Sequence, residues 1–390
     1  MNRKLLFAIP FFFESITSFF LAAIPYLAMD LGGRQSQVGL VSTILLAAQI
    51  PFFYIIGSLV NRFGKYPVLY AGSVLITVFV FITSKSPNLR FLTVLATIGF
   101  LGHAIFYPAL QALMGDMSTG ERLTKDVGVY NMGWCFGAAF VAVSSPYIYE
   151  IANGVRGLLY AGCFCGIVSA VLVTYNYIIS KNKSKVQKTD VTAEESVPEN
   201  NNVYLLMGRL GMFLGFFSYG AYRYILPIIF REFGWQDSLI LLVTGMFMVG
   251  EAIGVIGCAF ITFWKMKTAP QIIANIVFFA CALSVLFLKI PWILGAFFLV
   301  CGIAMAVCYT SALFHAVSSH SSVRAKNTGY HELIVASGMV AACLVGSLGG
   351  KLMDMFVMSS MKFLPIYVIM AFVVFNLFIY KYLGRNLKEK

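Results

Sequence analysis

The stretch FAIPFFFESITSFFLAAIP, residues 7–25, decides the fold class because it is long and apolar enough to cross a membrane. A transmembrane helix needs about 20 mostly apolar residues to span a ~30 Å hydrocarbon core. Similar stretches recur along the whole chain, of which 59% is hydrophobic and only 11% charged, whereas soluble domains carry roughly 25% charged residues. Because these stretches are too long for barrel strands, we predict an all-α membrane protein.

Charged and turn-forming residues divide the chain into twelve predicted transmembrane helices. The polar segment KNKSKVQKTDVTAEESVPENNN (181–202) then separates two sets of six helices. We therefore predict an N-terminal bundle over 1–180, a cytoplasmic linker over 181–203 and a C-terminal bundle over 204–390. The predicted helices are 5–29, 36–60, 66–84, 90–114, 127–150, 156–180, 204–230, 238–263, 268–288, 291–317, 327–353 and 362–383.

The distribution of Lys and Arg predicts the orientation of the chain. If both termini are cytoplasmic, 18 of the 28 basic residues fall on the inner side, as the positive-inside rule expects. The net charge of +12 is then explained by an anionic inner leaflet, and we expect no nucleic-acid partner. The predicted location is the inner or plasma membrane of a prokaryote.

The two halves of the chain resemble each other at an offset of about 202 residues, and Asp30 then matches Glu232. A one-residue slip after Arg122 places Asn131 opposite Glu332 and Tyr130 opposite His331. A parallel six-plus-six repeat is typical of a two-lobed transporter that rocks about a central site. The matched pairs include Pro25 and Pro227, Gly32 and Gly234, Ser36 and Ser238, Lys65 and Lys267, and Tyr107 and Tyr309.

The loop GSLVNRFGKYPVL (57–69) after the second helix resembles the cytoplasmic signature of the major facilitator superfamily, Gly-x-x-x-Asp-Arg/Lys-x-Gly-Arg/Lys. Gly57, Arg62, Gly64 and Lys65 fit this signature, and Asn61 stands where the family has Asp. The resemblance implies alternating access and a gating role for Asn61, Arg62 and Lys65. We expect the glycines to allow a tight turn with close helix approach.

Glu14 is the first candidate for coupling transport to protons. It lies nine residues into the first predicted helix, about 14 Å deep at ~1.5 Å per residue. Thr17 and Ser18 follow one turn later and are expected to hydrogen-bond with it. A charged group at this depth is costly and is a functional candidate by default; the alternative is a structural acid paired across helices.

Glu251 in GEAIG is the second candidate for proton coupling, and its repeat equivalent is Gln49. A polar position kept in both halves predicts a central pocket, with Gln49 as a substrate contact. The alternative is a packing seam, since Gly250 and Gly254 form a Gly-x-x-x-Gly pattern that brings helices together.

A polar stripe on the fourth predicted helix consists of His103, Tyr107 and Gln111, each one turn after the last. We predict that His103 and Tyr107 bind substrate. A histidine can also relay protons, but a lone histidine is equally well explained as an interior hydrogen-bonding residue.

The stretch SYGAYRYILP (218–227) combines Arg223 with three tyrosines in the seventh predicted helix. We predict that Tyr219, Tyr222 and Arg223 face inward and bind an anionic substrate group. Arg223 could alternatively extend to the outer surface.

The inner ends of the fifth and eleventh predicted helices carry Asn131 and Glu332, which we assign to gating. Trp134 is predicted to stack on substrate, with packing as the alternative. Arg209, His315 and His320 are expected near the inner surface, and the eight cysteines are interpreted as small buried hydrophobic residues.

The sequence contains no catalytic motif, metal-ligand spacing or phosphate-binding loop, so we predict neither an enzyme nor an ATP-driven pump. The leading hypothesis is a monomeric secondary active transporter of a small solute, without a cofactor and driven by an ion gradient, most simply H⁺. Efflux of amphipathic compounds and transport of an anionic metabolite both fit. The alternative is a non-transporting sensor or assembly protein on the same scaffold.

Overall fold

A computed structural model describes residues 3–117, 120–152, 154–183, 201–261, 264–317, 321–356 and 359–386. Within these ranges the chain is helical and forms no β-strand, which confirms the predicted all-α class. The α-helices are α1 Arg3–Asp30, α2 Gln35–Ala47, α3 Ile50–Phe63, α4 Lys65–Thr83, α5 Leu89–Met117, α6 Gly120–Ile151, α7 Val155–Lys183, α8 Asn201–Gly220, α9 Leu226–Glu232, α10 Asp237–Phe260, α11 Ala269–Phe287, α12 Pro291–Val317, α13 Ser321–Phe356 and α14 Leu364–Asn386.

The second predicted helix, 36–60, is interrupted, so the prediction of one continuous helix was wrong. It forms α2 and α3, and Gln49 caps the start of α3. Pro51 lacks the N–H group that a continuous helix needs, and the Phe52 N–H instead bonds the Gln49 carbonyl at 3.0 Å. The break places Gln49 at an element end, with 1% of its surface exposed.

The seventh predicted helix, 204–230, is also irregular. Between α8 and α9 the chain forms a five-residue π-helical segment, Ala221–Ile225, which contains Arg223. The Leu226 N–H bonds the Ala221 carbonyl across this wider turn. Pro227 follows immediately and cannot donate a backbone hydrogen bond, so the wider turn absorbs the helix defect that the proline creates.

Ten helical stretches in the described part of the chain are long and apolar enough to cross a membrane. The predicted second and fifth spans do not meet the same criterion. The halves α2 and α3 have only 13 and 14 residues, fewer than the 18 that the criterion requires. The chain is therefore a multi-pass membrane protein.

The chain forms two compact units. Unit 1 comprises residues 1–24 and 44–196, and unit 2 comprises 25–43 and 197–390. The segment 25–43 thus associates with unit 2, although the chain on both sides of it belongs to unit 1. The predicted linker lies largely outside the described residues, so the bundle limits at 181–203 stay a prediction.

Each unit contains a hydrogen bond between its third and sixth predicted spans. In unit 1, the hydroxyls of Ser73 and Ser169 lie 3.4 Å apart between α4 and α7. In unit 2, Asn376 Nδ2 of α14 donates to Asn275 Oδ1 of α11 at 3.0 Å. Since Ser73 and Asn275 are 202 residues apart in the chain, this pair follows the repeat register.

The glycine turns after the first span of each half also repeat. Gly32 and Gly234 have φ values of +82° and +78°, a conformation that favours glycine. Gly33 N–H bonds the Ala28 carbonyl at 2.9 Å, and its equivalent Trp235 N–H bonds the Phe230 carbonyl at 3.1 Å. The repeat inferred from sequence therefore extends to individual backbone bonds.

Gly64 forms the turn between α3 and α4 in the signature loop. Its φ is +84°, and its N–H bonds the Val60 carbonyl at 2.9 Å. An added Cβ would meet nothing closer than Pro67 Cδ at 3.8 Å. The predicted tight turn is present, but the expected close helix approach at Gly64 was wrong; the turn needs glycine for its backbone conformation.

Candidate functional site

Glu14 lies in the middle of α1 and accepts two hydrogen bonds from side-chain hydroxyls. Ser18 Oγ, one turn later, donates to Glu14 Oε1 at 2.9 Å. Tyr107 of α5 donates to Glu14 Oε2 at 2.5 Å. Thr17 does not contribute as expected, because its hydroxyl bonds the Phe13 carbonyl at 3.0 Å. One carboxylate therefore connects two helices of unit 1.

The polar stripe on α5 contacts two other helices, α1 and α6, and the junction between α2 and α3. His103 Nδ1 and Gln49 Oε1 lie 3.2 Å apart, Tyr107 bonds Glu14, and Gln111 Nε2 donates to the Tyr130 hydroxyl of α6 at 3.2 Å. The structure thus places this stripe in the interior of unit 1, whereas the substrate-binding roles of Gln49, His103 and Tyr107 stay predictions. It also brings together Gln49, His103, Tyr107 and Glu14, which we singled out separately.

Aromatic packing positions α1 against α5 around this cluster. The rings of Phe13 and Phe106 stack in parallel with centroids 3.5 Å apart, and Tyr107 meets Phe13 edge to face at 5.4 Å. Phe100 stacks on the His103 imidazole at 4.9 Å. These contacts restrict the rotation of the Tyr107 and His103 rings that carry the hydrogen bonds.

Two glycines of α6 allow close packing of this helix on α1. A Cβ added at Gly137 would lie 3.2 Å from the Cβ of Glu14, and one at Gly133 would lie 2.8 Å from Cγ of Pro10. Between them, Trp134 Nε1 donates to Asn131 Oδ1 at 3.2 Å. Asn131 and Trp134 therefore hydrogen-bond each other, and their roles in gating and substrate stacking stay predictions.

Glu251 is buried on α10, with 1% of its surface exposed. The neighbouring glycines bring α10 against α12: a Cβ at Gly254 would lie 3.0 Å from Cα of Ile303, and one at Gly302 would lie 2.7 Å from the backbone N of Glu251. The packing seam is therefore present around Glu251. Its coupling role stays a prediction.

Arg223 lies in the π-helical segment and is 9% exposed. Its guanidinium carbon lies 5.5 Å from the centre of the Tyr219 ring, and Tyr219 in turn lies 5.6 Å from Phe247 of α10. Tyr222 stacks on Phe298 of α12 at 4.6 Å and is 1% exposed. The structure thus buries Arg223 beside Tyr219 and packs Tyr222 within unit 2. The substrate-binding roles of all three stay predictions.

The remaining predicted gating residues are Asn61, Arg62, Lys65 and Glu332. Arg62 is exposed, and its guanidinium lies 5.3 Å from the Phe63 ring. Lys65 and Glu332 are partly buried, and the side chain of Asn61 lies outside the described part of the structure. The gating assignments therefore stay predictions.

Of the basic residues expected near the inner surface, Arg209 is partly buried, whereas the solvated position expected for His315 was wrong. Arg209 donates to the carbonyl and side-chain oxygens of Asn327 at 3.1 and 3.0 Å. His315 is 0% exposed, and its Nδ1 lies 2.7 Å from Asn201 Oδ1. His320 lies outside the described residues. By contrast, the prediction for the eight cysteines is confirmed, since all are buried and their thiols form no disulfide among the described residues.

Sequence reasoning missed a charged cluster in unit 2. Arg231 bonds both oxygens of Asp237, at 2.7 and 2.5 Å, and reaches Asp30 at 3.1 Å. Lys362 bonds Glu232 at 2.6 Å. The sequence offered one signal for this cluster, the repeat match between Asp30 and Glu232. Both acids lie near predicted outer turns, so we did not consider them for a central site.

Segment 25–43 is also held by uncharged contacts within unit 2. Gln35 Nε2 donates to the carbonyls of Gly346 and Lys362 at 3.3 and 3.2 Å. Ser347 Oγ donates to the Ser36 carbonyl at 2.7 Å. These bonds join the start of α2 to α13 and to the turn before α14.

Comparison with known proteins identifies the family. The sequence model of the Major Facilitator Superfamily matches residues 6–343. This chain belongs to the Major Facilitator Superfamily. A relative from Mycobacterium tuberculosis strain H37Rv, named an uncharacterized MFS-type transporter, is 25% identical over 242 residues. That match covers 61% of this chain and 56% of the relative, so the chain spans little more than half the length of the curated relative.

Solved structures of transporters share the fold. A bacterial homologue of the human lysosomal transporter Spinster superposes with a TM-score of 0.76 at 11% identity, covering 100% of this chain and 98% of the homologue. A D-xylose-proton symporter gives a TM-score of 0.70 at 13% identity, covering 96% of each chain. At such low identities the likeness shows the fold alone.

Proposed function

We propose that this chain is a secondary active transporter of a small solute and that Glu14 couples transport to protons. The observation that carries the proposal is the carboxylate of Glu14, which lies in the middle of a membrane span and accepts hydrogen bonds from Tyr107 and Ser18. Ionisable groups inside spans are costly and mark proton or substrate pathways. The driving force is an ion gradient, and no cofactor is required.

Proton binding at Glu14 would change a contact between two helices. The ionised carboxylate only accepts hydrogen bonds, whereas a protonated carboxyl also donates one. A proton on Oε2 therefore competes with the bond that Tyr107 donates from α5. Protonation thereby changes the preferred packing of α1 on α5, which gives the proton a physical means to shift a conformational equilibrium.

Arg223 favours a second solute class within the same proposal, an anionic metabolite. Its guanidinium is nine-tenths buried beside the Tyr219 ring. A buried guanidinium binds carboxylate or phosphate well. Efflux of amphipathic compounds fits the aromatic surroundings equally. An Arg223→Gln variant distinguishes them, because only anion binding should depend on the guanidinium charge.

The proton role can be tested without knowing the solute. Infrared difference spectra of the purified chain in lipid, recorded across a pH titration, should contain a protonated-carboxyl band that Glu14→Gln removes. Glu251→Gln tests the second acid in the same way. Glu150→Gln, at the exposed end of α6, is the matched control and should leave the band of a buried carboxyl unchanged. Identical spectra for Glu14→Gln and the parent would disprove the proton role.

Transport itself separates this proposal from a sensor or an assembly protein. A thermal-shift screen against sugars, amino acids, nucleosides and drugs should identify a bound solute, because binding raises the melting temperature. Proteoliposomes should then accumulate that solute under an imposed pH gradient, and Glu14→Gln should abolish the accumulation. A solute that binds but never crosses the membrane would instead support a sensor.

A further inference from the structure

His331 on α13 is a buried histidine without a hydrogen-bond partner. It is 1% exposed, and neither ring nitrogen has a partner in the part of the chain that the structure describes. A neutral imidazole offers one donor and one acceptor, and leaving both unused in the interior costs free energy. Such a group needs a buried water or a ligand to complete its hydrogen bonding.

The surroundings of His331 are aromatic. The imidazole meets the Tyr309 ring of α12 edge to face at 4.8 Å. Tyr309 lies 6.2 Å from Phe216 of α8, and Phe216 lies 6.4 Å from Tyr219. His331 therefore offers a hydrogen-bonding group within a series of ring contacts that extends to Tyr219, the residue under Arg223.

This cluster is the repeat counterpart of the Glu14 site. Phe216, Tyr309 and His331 occupy the positions that Glu14, Tyr107 and Tyr130 occupy in unit 1. There the polar groups satisfy one another, since Tyr107 bonds Glu14 and Gln111 bonds Tyr130. In unit 2 the acid is replaced by Phe216. The counterpart site in unit 2 thus has no equivalent of the Glu14 carboxylate, but it contains the imidazole of His331, whose hydrogen bonding is incomplete among the described residues.

Arg209 provides a positive charge in the surroundings of His331, and Glu332 follows His331 directly in the chain. Arg209 of α8 bonds Asn327, lies over the Tyr330 ring at 5.7 Å and acts electrostatically on His331. A positive group beside the imidazole would be repelled by this guanidinium. An anionic group would gain less from a guanidinium that already donates to Asn327.

We propose that His331 and Tyr309 bind an uncharged hydrogen-bonding group, a hydroxyl or an amide, on an aromatic or apolar part of the transported solute. This inference rests on the proposed transport function and deepens it. It divides the two tasks between the units: Glu14 in unit 1 handles the proton, and His331 in unit 2 recognises the solute.

Binding to the purified chain in detergent, with no ion gradient, tests this assignment. We would use two probe sets that keep one ring and vary the charge: phenylacetamide, phenylacetate and phenethylamine, and indole-3-acetamide, indole-3-acetate and tryptamine. The amides should raise the melting temperature most. His331→Phe should weaken binding of the better amide about 10-fold, the loss of one or two hydrogen bonds, and His331→Gln should restore much of it.

Matched controls separate this inference from the proton proposal. Tyr330→Phe, at the exposed neighbouring position, should bind the amide as the parent does. Glu14→Gln should also retain binding, so a chain that fails in proton coupling can still pass this test. If His331→Phe does not fold, ¹⁵N spectra of the chain labelled at its four histidines provide a second readout. The His331 signals, assigned with His331→Gln, should shift when the amide is added.

Several results would overturn the inference. Equal affinity of His331→Phe and the parent would show that the imidazole satisfies itself with buried water only. Strongest binding by a carboxylate, lost in Arg223→Gln, would assign recognition to the arginine. If no amide stabilises the parent chain, the solute class is wrong.

Discussion

At the scale of single residues, we expect the hydrogen bond from Tyr107 to Glu14 to contribute more to the free energy of unfolding than the neutral bond from Gln111 to Tyr130. A hydrogen bond to a charged group contributes about 1.5–3 kcal/mol and a neutral one about 1 kcal/mol. Tyr107→Phe should therefore destabilise the chain more than Tyr130→Phe, which removes the hydroxyl bonded by Gln111. Denaturant unfolding in micelles, at a pH where Glu14 is ionised, measures the difference.

The same comparison in a Glu14→Gln background isolates the charge. If the carboxylate is responsible, the difference between Tyr107→Phe and Tyr130→Phe should shrink towards zero there, as in a double-mutant cycle. A difference that persists without the acid would mean that Tyr107 stabilises unit 1 through ring packing alone.

The sequence predicted only the local part of the Glu14 site. The depth of Glu14 and its contact with Ser18 follow from helix spacing, and the bond to Ser18 is present at 2.9 Å. The bond to Tyr107 depends on how α1 packs against α5, which no spacing within either helix encodes. Thr17 is also one turn from Glu14, but its hydroxyl donates to the backbone of its own helix. This is a common alternative for a threonine inside a helix.

At the scale of elements, Gly137 decides how closely α6 approaches α1. A methyl group there would lie 3.2 Å from Glu14 Cβ, so Gly137→Ala should force the helices apart and cost about 1–3 kcal/mol. Gly128 on the same helix has nothing within 4 Å of an added Cβ. Gly128→Ala should instead stabilise the helix by up to about 1 kcal/mol.

Unfolding midpoints of these two variants provide the test, because the chemical change is the same at both positions. Opposite signs are expected for Gly137→Ala and Gly128→Ala. Equal small effects would show that α6 shifts without cost and that Gly137 does not position Glu14.

Helix interruptions mark the limit of prediction at this scale. The apolar pattern correctly located the second and seventh predicted helices but not the break at Gln49 or the π-helical segment around Arg223. Each irregularity lies near a proline, Pro51 or Pro227. A proline in a span predicts a defect, but which carbonyls and turns absorb the defect depends on neighbouring helices.

At the scale of the whole molecule, the repeat was the most informative sequence feature. It correctly predicted matching turns at Gly32 and Gly234, both with positive φ. It did not predict that segment 25–43 would pack with unit 2. Dividing the sequence at one linker assigns all residues before it to one bundle. It therefore cannot describe residues 25–43, which pack with unit 2 although the chain before and after them belongs to unit 1.

The charged cluster around Arg231 should help to hold segment 25–43 on unit 2. Arg231 contacts this segment through Asp30 at 3.1 Å and through the Tyr26 ring at 5.5 Å. Because Asp30 is 43% exposed, solvent screens the pair, and its contribution is about 0.2–1 kcal/mol. Arg231→Gln should therefore accelerate amide hydrogen exchange in residues 25–43 by about 2- to 5-fold.

Lys289→Gln is the matched control for this last prediction. Lys289 lies over the Phe233 ring at 5.0 Å but bonds no residue of segment 25–43 among the described residues. It should leave exchange in that segment unchanged. If Arg231→Gln also leaves it unchanged, then the bonds of Gln35 and Ser347 hold the segment and the charges do not. Faster exchange in Arg231→Gln would show that these charges help to hold segment 25–43 on unit 2.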